Sequence, residues 1–231
     1  MKTLYIMDSL HKVDVKGDST YMMMLESNKR RWETFYCTPK DLFVKDGVAY
    51  ARMNQVLVTK EAPYFSLFPE SELCLEIFNV VWMRKDPPFN IDYVFTTYIL
   101  DLIPKTTLVL NNPRAIRRCN EKMFALQWPE FCPKTLVTRH IVRAMEWAKS
   151  FDKVVIKPWD GNGGRGVLVT QKDDPNFRSM LEILTENEDQ HILVQQYIPE
   201  IKEGDKRIIL IDGEVVGQMT RVPGDTDHRG N

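Results

Sequence analysis

The densest chemical signal in this 231-residue chain is Gly161-Asn162-Gly163-Gly164-Arg165-Gly166, entered through Val154-Val155-Ile156-Lys157-Pro158. The spacing satisfies G-x-G-x-x-G, which holds a dinucleotide pyrophosphate when a strand leads in and a helix leads out. Here the lead-in is strand-like, but Val167-Leu168-Val169-Thr170 is β-branched and lacks a helical period, so a dinucleotide fold is not expected. Gly166 is followed by Val167 rather than Lys, which excludes a Walker A loop. Strand, glycine loop, strand describes instead a flap whose backbone N–H groups close over polyphosphate oxygens. Lys157 would bring an ammonium to those oxygens; taken alone, it reads as well as a solvated lysine beside a hairpin. Residues 192–199, ending Gln195-Gln196-Tyr197-Ile198-Pro199, form either a segment whose backbone reads an adenine edge or a plain buried strand stopped by proline.

These residues need a scaffold, and the hydropathy pattern supplies an α/β one. Residues 4–7 make a short apolar run closed by Asp8, as a buried strand with a polar carboxyl end does. Ligand loops gather at such ends in α/β sheets. Asp18 and Ser19 are good N-caps for a helix reaching about residue 31. Strands are expected at 34–37, 42–44, 48–50, 80–83 and 107–110, with a helix at 92–102 and a hairpin turn at Lys45-Asp46-Gly47. Together these give an open α/β sheet over roughly the first 118 residues. A second unit follows, with strands at 135–137, 154–156, 166–170 and 192–195 around a helix marked by Ile141, Ala144, Met145 and Ala148. Residues 207–211 and 214–220 flank Asp212-Gly213 as a further hairpin.

Lys plus Arg number 31 against 32 Asp plus Glu, so no global field exists to hold nucleic acid or a membrane surface, and an anionic ligand must be met by local charge. No stretch approaches the ~18 apolar residues of a membrane span, and the N-terminal apolar run is too short for a signal peptide, so a cytoplasmic protein is expected. Cys37, Cys74, Cys119 and Cys132 lack zinc-site spacing and read as reduced structural thiols. No metal ligands are assigned, and His11, His140, His191 and His228 receive no catalytic role.

Several stretches, in order, resemble bacterial-type glutathione synthetase, an ATP-grasp ligase: Met83-Arg84-Lys85-Asp86-Pro87-Pro88-Phe89, Cys119-Asn120-Glu121-Lys122, Ile156-Lys157-Pro158, the glycine loop, Gly204-Asp205-Lys206-Arg207 and Arg229-Gly230-Asn231. The glycine loop fits any ATP-grasp ligase; the Arg-Lys-Asp-Pro-Pro-Phe run is far more specific. The resemblance implies an ATP-grasp fold: a substrate-binding pre-ATP-grasp α/β domain over 1–118, a small lid over 119–200, and the start of the large subdomain over 201–231. It implies ATP and Mg²⁺ as cofactors. Lys122 and Lys157 match lysines that neutralise ATP phosphates, and Gly161, Asn162, Gly163 and Gly164 match the flap above them. Gln195, Tyr197 and Ile198 fall at the adenine side, and Asp205 at the ribose hydroxyls. Arg207 and Arg221 match catalytic arginines facing the dipeptide and the reacting phosphate, as bidentate guanidinium groups suit. The implied substrates are γ-glutamylcysteine and glycine, joined through an acyl phosphate, in a homo-oligomer.

By the same resemblance the chain stops inside a loop over the acyl-phosphate site, and the acidic strand and Glu-x-Asn motif that hold Mg²⁺ are not in it. Three origins are open: a fragment, one part of a split enzyme completed by a separate C-terminal polypeptide, or a non-catalytic ATP-binding or scaffolding subunit. Another ATP-grasp carboxylate–amine ligase is the alternative chemistry. The hairpin at 207–220 is expected to expose its edge and much apolar surface.

Overall fold

The computed structural model describes residues 1–161, 163–222 and 224, so Asn162 and the Arg229-Gly230-Asn231 motif lie outside the described residues. The chain forms two compact units, Met1–Asn120 and Glu121–Asn231.

The first unit is built on β1 (Lys2–Ile6), β2 (Glu33–Cys37), β3 (Leu42–Lys45), β4 (Val48–Val58), β5 (Phe65–Cys74), β6 (Val80–Met83) and β7 (Leu108–Leu110). They make one seven-stranded sheet in the order β3-β4-β2-β1-β6-β7, with β5 added on β4. Strands β2, β1, β6 and β7 run parallel, and β4 is antiparallel to its neighbours β2, β3 and β5. The parallel centre is buried on both faces, which is why its strands read as unbroken apolar runs. Leu4 and Ile6 enter one core with Phe35, Val81, Met83 and Leu100, while Tyr5 enters the other with Tyr36, Met24 and Leu10. Helices α1 (Ser19–Lys29), α2 (Ile91–Leu100) and α3 (Pro113–Arg118) complete the unit. Asp18 caps α1 by accepting the Tyr21 N–H at 2.7 Å, satisfying a donor the helix cannot.

Strand β5 was not expected from sequence, and β4 is much longer than the predicted 48–50. The reason is pairing: β5 holds Pro69, Glu70, Ser71 and Glu72 and is largely exposed, but its backbone is paired to β4 along most of its length.

In the second unit, β8 (Thr135–Thr138), β9 (Lys153–Pro158), β10 (Leu168–Gln171) and β11 (Ile192–Gln196) form an antiparallel sheet in the order β10-β9-β11-β8. Helices α4 (Ile141–Ala148) and α5 (Phe177–Leu184) pack on one face, where Ile141, Ala144, Ala148, Phe177 and Leu181 meet Val154, Ile156, Ile192 and Val194. Because side chains alternate along a strand, Val155, Lys157, Leu193 and Gln195 stand on the other face, with Thr135 and Val137 in register beside them. Strand β10 starts later than the predicted 166 because Gly163, Gly164 and Gly166 take φ of 57°, 73° and 70°, outside any strand conformation.

Strands β12 (Asp205–Ile211) and β13 (Glu214–Arg221) form a separate two-stranded sheet. Asp212 and Gly213 turn it with φ of 51° and 83°, as Asp46 (51°) and Gly47 (79°) turn β3 into β4. Ile208, Leu210, Ile211, Val215 and Val216 are each more than half exposed, as the sequence led us to expect of this hairpin.

Candidate functional site

In the second unit the predicted phosphate groups converge. Pro158 ends β9, and the chain then folds the glycine turn back onto its ring: a Cβ on Gly161 would lie 2.6 Å from Pro158 Cγ and 3.0 Å from the Arg165 carbonyl oxygen. A Cβ on Gly166 would lie 3.1 Å from the same Cγ. Glycine is therefore required by close approach at 161 and by conformation at 163, 164 and 166. Lys122, far away in sequence, donates from Nζ to the Gly161 carbonyl oxygen at 2.7 Å and to Glu121 Oε1 at 2.5 Å, so one ammonium sits on the turn itself.

Lys157 approaches from the sheet. Its Nζ donates to Gln195 Oε1 at 2.7 Å, a diagonal pair between β9 and β11. Burial, and then the positive charge of Lys122, lower the Lys157 pKa. The second cause means that the charge of Lys122 is felt at Lys157. Lys122 Nζ is ion-paired to Glu121, and an anionic ligand shared by two neighbouring ammonium groups would relieve their repulsion.

The other predicted residues are placed as follows. Gln195 is 8% exposed, and its amide is spent on Lys157 and, through Nε2, on Thr135 Oγ1 at 2.8 Å. The Tyr197 N–H bonds to the Lys153 carbonyl at 3.2 Å, and Lys153 Nζ lies 5.9 Å from the Tyr197 ring centroid. Ile198 is 45% exposed at the start of the following 3₁₀ turn. Asp205 and Arg221 face each other across β12 and β13, with Arg221 Nε at 3.1 Å and Nη2 at 2.5 Å from Asp205 Oδ2. These two were expected at different ligand groups; here they are one ion pair at the open end of the hairpin. Arg207 stands two residues along β12, exposed and without an ion-pair partner among the described residues.

The first unit carries a cavity of about 630 Å³ at the carboxyl ends of its parallel strands, with Asp8, Lys12, Lys40, Lys85, Asp92 and Tyr93 in its lining. Asp8, just beyond β1, accepts from Lys85 Nζ at 3.0 Å and from the Asp86 N–H at 3.0 Å. The Tyr93 hydroxyl donates to the Lys85 carbonyl at 3.0 Å, and burial, followed by the Asp86 carboxylate, pushes its phenol up, keeping it a donor. The Arg-Lys-Asp-Pro-Pro-Phe run is thus pinned over a mixed-charge cleft. Sequence reasoning had marked the run and the strand end, but assigned no site role to Asp8, Lys85 or Tyr93.

Residues 1–117 match the family description "Prokaryotic glutathione synthetase, N-terminal domain", and residues 121–231 match "Prokaryotic glutathione synthetase, ATP-grasp domain". The chain belongs to the prokaryotic glutathione synthetase family. The glutathione synthetase of Photorhabdus laumondii is 39% identical over 229 residues, covering 98% of this chain and 72% of the relative, and that of Pseudomonas aeruginosa is 40% identical with the same coverage. In fold, the chain resembles the RimK domain ATP-grasp protein of Sphaerobacter thermophilus (TM-score 0.61, 16% identity, 96% of this chain and 73% of that one). It also resembles D-alanyl-alanine synthetase A of Vibrio cholerae (TM-score 0.60, 12% identity, 97% and 68%). This glutathione synthetase family member is an ATP-grasp ligase.

Among the described residues no group of three or more His, Cys, Asp or Glu is arranged to hold a metal ion. No helix among them is long and apolar enough to cross a membrane. The four cysteines are free, and burial, reinforced by Asp41, pushes the Cys37 thiol up, which keeps it unreactive.

Proposed function

We propose that the second unit holds ATP for the synthesis of glutathione from γ-glutamylcysteine and glycine. The γ-phosphoryl group passes to the C-terminal carboxylate of γ-glutamylcysteine, giving an acyl phosphate and ADP. The glycine amine then attacks the acyl carbon, phosphate leaves, and an amide remains. Little covalent chemistry falls to the protein; positioning and charge neutralisation carry the rate.

The observation that supports this reading most directly is the Lys122 ammonium bonded to the Gly161 carbonyl, with its charge felt at Lys157. Lys122 and Lys157 neutralise the triphosphate, and Gly161, Asn162, Gly163 and Gly164 cover it. Tyr197 and Ile198 border the base. Arg207 grips the peptide carboxylate, and Arg221, oriented by Asp205, meets the transferring group. The neutralisation proposed here rests on these cations, and Mg²⁺ is the ion expected to accompany ATP.

The mixed charges of the first unit's cavity suit the zwitterionic end of a γ-glutamyl peptide, and we assign that unit (1–118) the substrate-binding role, with 119–200 as lid and 201–231 as the beginning of the large subdomain. The apolar hairpin β12–β13 is the surface on which a separate C-terminal polypeptide would sit. The exposed Ile91, Phe95 and Tyr98 of α2 support a homo-oligomer, working in the cytoplasm.

The test is ADP release by the chain supplied with the remaining C-terminal portion of a relative. Turnover that needs ATP, γ-glutamylcysteine and glycine together supports the reading. Turnover with another carboxylate–amine pair only would identify a different ligase, and nucleotide binding with no turnover under any pairing would identify a non-catalytic ATP-binding subunit.

A further inference from the structure

The sheet face opposite α4 and α5 carries a hydrogen-bond chain that no motif marks. The Thr135 hydroxyl donates to the Pro133 carbonyl at 2.7 Å, Gln195 Nε2 donates to Thr135 Oγ1 at 2.8 Å, and Lys157 Nζ donates to Gln195 Oε1 at 2.7 Å. Its direction is forced by proton count. A carbonyl oxygen has no proton and an ammonium has no lone pair, so the two ends of the chain fix its sense. The single Thr135 proton goes to Pro133, its lone pair faces Gln195, and Gln195 must present its NH₂ group there and its oxygen to Lys157. Flipping the amide would set donor against donor at Lys157 and lone pair against lone pair at Thr135.

We propose that Thr135 is a positioning residue for the phosphate-binding lysine: by locking the Gln195 amide in one orientation, it holds the Lys157 ammonium aimed at the nucleotide phosphates before they arrive. The neutral amide matters. It orients the ammonium without cancelling its charge, and it engages one of three Nζ protons, leaving two for phosphate oxygens. Gln195 is among the more buried polar residues of the unit and Thr135 is partly buried, so water does not readily replace either bond. The inference rests on the reading of Lys157 as a phosphate ligand and assigns the Gln195 side chain to that lysine rather than to adenine.

The experiment measures dissociation constants for ADP and for adenosine by calorimetry on the full chain and on T135V, T135S, K157M and the T135V/K157M double variant, with thermal melting to confirm folding. We expect T135V to weaken ADP about three- to tenfold, the range of one buried neutral hydrogen bond, and T135S to restore it. Adenosine affinity should not move, and T135V should add nothing once Lys157 is Met. Equal losses with and without Lys157, loss of adenosine binding as large as that of ADP, or failure of Ser to rescue would each overturn the proposal. If K157M alone leaves ADP affinity unchanged, the phosphate-site reading falls and this inference falls with it. If K157M is impaired and T135V is not, only the positioning role is lost.

Discussion

Replacing Gly161 with Ala tests the site at its tightest point. The new methyl group would lie 2.6 Å from Pro158 Cγ, about 1 Å inside ordinary carbon–carbon contact. Pro158 can yield only through its ring pucker, because φ is locked and its backbone ends a strand paired to Ile192. The glycine turn must move instead, and with it the Gly161 carbonyl that Lys122 holds at 2.7 Å. A shift of that size takes the bond past hydrogen-bond range. A charge-assisted bond is worth ~1.5–3 kcal/mol when desolvated; the Lys122 side chain is 21% exposed, so we take the lower end, about a tenfold loss of ADP affinity. Overpacking adds ~1–3 kcal/mol of destabilisation, read as a lower melting temperature. The decisive comparison is Gly161→Ala in a Pro158→Ala background, where the Cγ is gone and the nearest remaining atom is the Arg165 carbonyl oxygen at 3.0 Å. That double variant should regain most of the lost affinity. If Gly161→Ala binds ADP normally, or if removing the proline ring rescues nothing, the steric account of the turn is wrong.

Because burial and then Lys122 lower the Lys157 pKa, ADP affinity should fall as pH rises through that value, earlier than for an ordinary lysine; Lys122→Met should move the alkaline limb to higher pH, as titration of the dissociation constant against pH would show. By linkage, the unfolded chain holds the Lys157 proton to higher pH than the folded one, so the contribution of Lys157 to stability rises with pH across that window. Asp8→Ala removes the acceptor shared by Lys85 Nζ and the Asp86 N–H, and should raise KM for the peptide substrate in the complemented assay while leaving ADP binding unchanged. Asp18→Ala should cost ~1 kcal/mol through the lost α1 cap, measurable by denaturant unfolding.

Much of the fold was legible wherever it is decided locally. Asp46-Gly47 and Asp212-Gly213 turn their hairpins because those residues tolerate positive φ, and Asp18 caps α1 within three residues of itself. The short helices were less visible. Asn112 accepts from the Arg114 and Ala115 N–H groups and Pro113 opens α3, a start signal present in the sequence but attached to only six residues. Phe177 and Leu181 give α5 its buried stripe, again over too short a stretch to stand out beside its loops.

For the site, residue type and order alone raised the expectation: a glycine turn led by Lys157 suits polyphosphate, because bare backbone N–H groups and a fixed positive charge both answer anionic oxygens. What the sequence left open was which groups hold those lysines. Lys122 meets Gly161 across 39 residues, and Gln195 meets Thr135 across 60. The Gln195–Thr135 contact follows from strand register, and register is set by the burial of Val154, Ile156, Ile192 and Val194 against α4 and α5 on the opposite face. Lys157, Gln195 and Thr135 thus owe their alignment to apolar neighbours on the opposite face of the sheet, which is why only the assembled sheet reveals it.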